Sequence, residues 1–135
     1  MKMIVFAALC AATSLGVTPA SALTINSLVV FGDSNVDIGR LSAELAGNPA
    51  DGVIVPPNTV SGRSSDGKIL PEFLAERVGV TQLNYGWGGA QAGAENIVGL
   101  LLPGATDTLK TGTLSQISEF SLSLGGGTAD EDALY

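Results

Sequence analysis

Ser34 is the residue whose neighbours best equip it for covalent chemistry. It lies in the stretch Val29-Val30-Phe31-Gly32-Asp33-Ser34-Asn35-Val36-Asp37-Ile38-Gly39, where an apolar run from Leu28 to Phe31 breaks into glycine, carboxylate and hydroxyl. A break of this kind ends a buried parallel strand whose following turn presents a side chain. Gly32 lets the backbone bend where a β-carbon would clash, and the residues after Ser34 can open a helix whose N–H groups face negative charge forming beside the hydroxyl. Such a site suits acyl transfer, in which the hydroxyl attacks a carbonyl and amide donors hold the resulting oxyanion. The tripeptide Gly-Asp-Ser is also a common turn sequence, so its surroundings have to decide.

Gly32, Asp33, Ser34, Asp37 and Gly39 fill every fixed position of the pattern Gly-Asp-Ser-x-x-Asp-x-Gly, and the stretch resembles the first signature block of the GDSL, or SGNH, hydrolase family. Independently, Gly62-Arg63-Ser64-Ser65-Asp66-Gly67-Lys68 followed by Pro71-Glu72-Phe73-Leu74-Ala75-Glu76 is similar to the segment after that block in the plant and bacterial GDSL lipase branch. Asn84 with Gly88-Gly89-Ala90 resembles the family's second block, whose glycine donates a backbone N–H to the oxyanion. The resemblance makes Ser34 the catalytic nucleophile and assigns the oxyanion hole to the N–H groups of Ser34 and Gly89, with Gly88 as the nearby alternative. It implies a three-layer α/β/α parallel sheet of the flavodoxin-like SGNH type. It also implies a small-molecule or lipid ester as substrate, and neither metal nor cofactor. Read as a nucleotide loop, Gly86 to Gly93 fails, because no Lys-Ser or Lys-Thr follows the glycines.

The elements that must position these residues follow from hydrophobic spacing. Leu41 to Ala46 reads as a short helix stopped by Gly47-Asn48-Pro49, and Ala50 to Ser65, rich in Gly, Pro, Asn and Ser, reads as a surface loop. Ile69, Leu70, Phe73, Leu74 and Val78 fall on one face of a helix with Pro71 in its first turn and Gly79 as its stop. Val80 to Tyr85 is a second strand, and Ala94 to Leu102 a short helix. Leu114, Ile117, Phe120, Ser121 and Leu124 predict an amphipathic helix closed by Gly125-Gly126-Gly127. The acidic cluster Asp130-Glu131-Asp132 reads as a solvated turn before a strand opening at Ala133. Trp87 reads as a packing residue in preference to a substrate platform. This order describes two crossover units of a parallel sheet.

At the N-terminus, Met1-Lys2-Met3, the apolar run Ile4 to Gly16 and Pro19-Ala20-Ser21-Ala22 have the form of a secretory signal peptide. Its apolar core falls short of the roughly 20 residues that span a bilayer. Cleavage after Ala22 is expected, with export to the periplasm or the medium; the alternative, lipidation at Cys10, leaves little apolar core before the cysteine. The remaining residues, 23–135, form the hydrolase part. Removal of residues 1–22 leaves no cysteine, five basic and thirteen acidic side chains, and a net charge near −8. That surface repels phosphate backbones, so nucleic acid is not an expected partner. The chain contains no histidine, which leaves carboxylates as the only common zinc ligands.

The missing histidine also limits catalysis, since a serine hydroxyl needs a base to take its proton. The family's third block, Gly-x-Asn-Asp, and fourth, Asp-x-x-His, do not occur in the sequence. Loss of the triad histidine costs on the order of 10⁶ in turnover in another serine hydrolase. Two expectations result. Either residues 23–135 are the N-terminal part of a hydrolase domain truncated before its last two blocks, or the scaffold serves as a non-catalytic secreted binding protein or a decayed remnant.

Overall fold

The computed structural model describes residues 24–47, 62–101 and 110–135. The expected signal peptide, Cys10, most of the Ala50–Ser65 loop and the end of the expected helix at Leu102 lie outside these residues. The chain runs β1 (Ser27–Val30), α1 (Arg40–Gly47), α2 (Leu70–Val78), β2 (Thr81–Asn84), α3 (Ile97–Leu101), α4 (Thr113–Ser123) and β3 (Ala133–Leu134).

The strands form one parallel sheet in the order β2-β1-β3, with Val30 opposite Asn84 and Ser27 opposite Ala133. The fold is therefore α/β with a parallel sheet, as the sequence predicts. β1 is central, and its Leu28, Val29 and Val30 are all buried, the signature of a strand covered on both faces. Alternation assigns its residues to two sides. Leu28 and Val30 pack with Ala75 of α2, and Val36, Leu74 and Val80 close around them. Phe31, next in the chain, faces the other way. It meets Tyr85 at 5.6 Å and Phe120 of α4 at 5.7 Å between ring centroids, and Phe120 in turn contacts Tyr135.

The helix boundaries have local causes. In α2, Pro71 occupies the first turn, where its missing N–H is no loss, and Glu72 reaches back to accept the Ile69 N–H at 3.0 Å. Gly79 ends the helix in the left-handed conformation (φ 77°) and donates to the Ala75 carbonyl at 2.8 Å. The expected apolar face of α2 is displaced, however. Pro71 and Ala75 are buried and Leu74 is half-buried, whereas Leu70 is 75% and Phe73 56% exposed. The stripe at positions 71, 74 and 75 meets the sheet, which turns Leu70 and Phe73 aside.

A similar shift occurs in α4, whose Leu114 and Ile117 are exposed while Gln116 is buried and Phe120 half-buried. The acidic turn behaves as expected: Asp130, Glu131 and Asp132 are exposed, and the Asp132 carbonyl accepts the Asn26 N–H at the foot of β1.

Candidate active site

Ser34 and Gly89 reach the same edge of the sheet because β1 and β2 are parallel neighbours. The turn 33–36 follows the C-terminal end of β1, and the loop 85–90 follows that of β2. β1 also lies where the strand order reverses, with β2 to one side and β3 to the other. In open parallel sheets this position, outside the carboxyl ends of the strands, is where ligands bind.

The Ser34 turn is held largely by backbone and short side chains. Val36 and Asp37 donate their N–H groups to the Asp33 carbonyl, both at 3.1 Å. The Asp33 carboxylate accepts the backbone N–H of Asn35 at 3.0 Å and its side-chain amide at 2.9 Å. Asp33 thus braces the turn from outside, while Ser34, half-buried, keeps its hydroxyl and its N–H uncommitted among the described residues.

Asp37 does the opposite work, inside. Its carboxylate is 3% exposed and accepts four backbone donors. Gly39 and Arg40 donate to Oδ1 at 2.7 and 2.6 Å, and Leu41 and Gly88 donate to Oδ2 at 3.1 and 2.7 Å. Three of these donors lie at the opening of α1, where a carboxylate satisfies orphan N–H groups and complements the helix dipole. The fourth ties the second loop to the first. Asn84 adds a parallel link by donating to the Val36 carbonyl at 2.8 Å and accepting the Gly86 N–H at 2.8 Å.

This lacing separates the two glycines. The Gly88 N–H is committed to Asp37, and a β-carbon at Gly88 would lie 2.7 Å from a Leu41 methyl. Gly89 has φ +77° and accepts the Ile97 N–H at its carbonyl, while its own N–H has no acceptor among the described residues. A β-carbon there would lie 2.7 Å from both Asn96 Oδ1 and Val98 Cγ2, so conformation and space both require glycine.

Two buried polar side chains that hydrophobic spacing could not reveal complete the support. Asn96, 1% exposed, donates to the Gly88 carbonyl and to Thr111 Oγ1, both at 2.8 Å, and accepts the Val98 N–H at 2.8 Å. Gln116, also 1% exposed, meets the Gly32 peptide. On the rim, the Arg40 guanidinium lies 4.8 Å from the centre of the Trp87 ring and donates to both oxygens of Glu119 at 2.8 and 3.0 Å. Trp87 is half-buried beneath this cation. An open groove of about 320 Å³ runs alongside, walled by Trp87, Thr111, Ser115, Gln116, Glu119 and Leu122 among others.

Farther off, Arg63 grips Glu72 with two hydrogen bonds of 2.8 and 2.6 Å. The guanidinium holds the Glu72 carboxyl below the usual glutamate range, against the opposing pull of desolvation, and Glu72 raises Arg63 in return. Two distant parts of the second similar segment, Gly62–Lys68 and the start of α2, are joined by this pair.

An open parallel sheet with a serine turn and a glycine loop at adjacent strand ends defines a class of α/β protein that works at its carboxyl edge. Comparison with known proteins narrows it. The family model of the GDSL-like lipase/acylhydrolases matches residues 28–122, and the chain belongs to that family. Among curated proteins, one GDSL esterase/lipase of Arabidopsis thaliana is 32% identical over 79 residues, 56% of this chain and 22% of that protein. Another from the same plant is 43% identical over 54 residues, 40% of this chain and 14% of that protein. The matched part therefore spans less than a quarter of either relative's length.

Proposed function

We propose that residues 23–135 are the N-terminal part of a secreted serine ester hydrolase of carboxylesterase, lipase or phospholipase type, exported by the signal peptide at residues 1–22. One observation carries this reading. Of the two glycines in the second loop, Gly88 has its N–H taken by buried Asp37, and Gly89 has its N–H uncommitted among the described residues at the strand edge that also carries Ser34.

In the complete enzyme Ser34 Oγ attacks the ester carbonyl, and the N–H groups of Ser34 and Gly89, with the asparagine of the third block, hold the oxyanion. A histidine oriented by an aspartate, both supplied beyond Tyr135 by the third and fourth blocks' part of the domain, takes the serine proton and passes it to the leaving alcohol. Water then attacks the acyl-enzyme by the reverse path, releasing acid and Ser34. The substrate is a small-molecule or lipid ester, and no cofactor enters the cycle.

The test begins with the intact mass of the native secreted protein and the reading frame after Tyr135. A frame running on through Gly-x-Asn-Asp and Asp-x-x-His, with ester hydrolysis abolished by Ser34→Ala, is the expected result. Normal hydrolysis by Ser34→Ala overturns the assignment of Ser34. The absence of histidine from the sequence favours one second reading, a non-catalytic binding protein or decayed remnant on the same scaffold, and a native product ending at Tyr135 selects it.

A further inference from the structure

Gln116 lies in α4, outside all three stretches that resemble the family, yet its side chain completes the strand end before Ser34. Its Oε1 accepts the Gly32 N–H at 2.8 Å, and its Nε2 donates to the Gly32 carbonyl at 2.9 Å and to the Thr111 carbonyl at 2.9 Å. Both amide protons and the oxygen are used, so the buried group is satisfied only while it stays in this place. The side-chain amide thus pairs with Gly32 as a residue of a neighbouring strand would.

Gly32 is a demanding residue to hold. Its φ of +147° is open to glycine and rare for other residues, and a β-carbon would lie 2.9 Å from a Val36 methyl. Its carbonyl also accepts the Trp87 N–H at 3.0 Å. The residue two before Ser34 is therefore bonded both to α4 and to the loop that carries Gly89. A buried glutamine serving only to dock α4 would need partners anywhere on the sheet. This one takes both backbone polar groups of a single residue adjoining the serine turn.

We infer that Gln116 is a positioning residue: through the Gly32 backbone it fixes the Ser34 turn relative to the Gly89 loop. Its catalytic meaning rests on the reading of Ser34 as nucleophile, whereas the clamp itself can be tested without that reading.

The experiment is amide hydrogen exchange on the chain by NMR, comparing Gly32 with Tyr85 and Val80. Those two amides bond to the Val30 and Ala75 carbonyls and do not touch Gln116. In the wild type, Gly32 is expected to be protected to within tenfold of Tyr85; an unprotected Gly32 overturns the clamp. Gln116→Met, similar in size and without donor or acceptor, is expected to speed exchange at Gly32 at least tenfold and leave Tyr85 and Val80 within threefold. Equal acceleration at all three amides, or none at Gly32, refutes the local role.

If Gln116→Met does not fold, Gln116→Glu decides: it keeps the acceptor, so Gly32 stays protected, and it removes the donor from two carbonyls. In the ester-hydrolysing native protein, either variant is expected to lower kcat per fluorophosphonate-titrated site at least tenfold with KM within threefold. A loss confined to the number of titratable sites marks a merely structural residue. Absence of ester hydrolysis in the wild type removes the proposed function alone, and the exchange result still judges the clamp.

Discussion

Replacing Asp37 offers a sharp test of how the two loops are joined, because one buried carboxylate serves both. Asp37→Ala removes the acceptor for Gly39, Arg40, Leu41 and Gly88 together. The N–H groups at the start of α1 border solvent, and losing their side-chain cap costs about 1 kcal/mol. Gly88 is buried, so its N–H loses its partner without gaining water, which costs about 1–3 kcal/mol. The two contributions give about 2–4 kcal/mol, a large share of the roughly 5–15 kcal/mol that holds a domain folded. Asp37→Asn separates them. Its single oxygen can keep the Gly39 and Arg40 bonds, but the amide nitrogen then faces the Leu41 and Gly88 donors, so about 1–3 kcal/mol is expected to go with the cap preserved. Urea titration followed by circular dichroism reads the total, and amide exchange at Gly88 reads the local part. An Asp37→Asn protein within about 0.5 kcal/mol of the wild type, the range of an indifferent surface change, would refute the reasoning.

Three further perturbations have stated outcomes. Because Arg63 holds the folded-state pKa of Glu72 below its unfolded value, the pair stabilises the fold fully above the ordinary glutamate range and loses that contribution as pH falls through the lowered value. Urea melts from pH 7 to pH 3 should show the wild type losing its lead over Glu72→Gln on the acid side, and a constant gap would contradict this. Gly112→Ala puts a β-carbon 2.2 Å from the Gly93 carbonyl oxygen, whereas at Gly67 no described residue lies within 4 Å of one. The first should therefore cost about 3 kcal/mol or more and the second no more than about 0.5 kcal/mol in the same melts. Arg40→Ala removes the half-exposed pair with Glu119 and the cation over Trp87, for about 1 kcal/mol or less, with a change in Trp87 fluorescence; an unchanged spectrum would mean that the stacking is absent in solution.

Much of this arrangement was legible in the sequence, and the parts that were not share a cause. The end of β1, the Pro71 and Gly79 boundaries of α2, the second strand and the opening of β3 all rest on local chemistry that neighbouring residues decide. The faces of α2 and α4 do not. Leu70, Phe73, Leu114 and Ile117 have the spacing of a buried stripe but stand exposed, because α2 meets the sheet through neighbouring positions and α4 turns Gln116 and Phe120 toward Gly32, Phe31 and Tyr85 beyond the strand ends. Asn96 and Gln116 were illegible for the converse reason. A hydrophobicity pattern counts a polar residue as solvent-facing, and only the fold brings in the backbone atoms of Gly88 and Gly32 that make burial affordable. The serine and glycine positions could be named from motifs. Of the side chains that hold them, Asp33, Asp37 and Asn84 stand in those motifs, whereas Asn96 and Gln116 do not.

The bond between Gly32 and Gln116 joins residues 84 positions apart, which gives the serine turn a history as well as a shape. Contacts of such separation form late, after the loop between them has closed. At a synthesis rate of roughly 5–20 residues per second, about 4–17 s pass between the emergence of Gly32 and that of its partner. During that interval the turn has only its local bonds, those that Asp33 accepts from Asn35, Val36 and Asp37. The tie at Gly32 arrives with α4, so the fixing of Gly32 reports the assembly of the region around it.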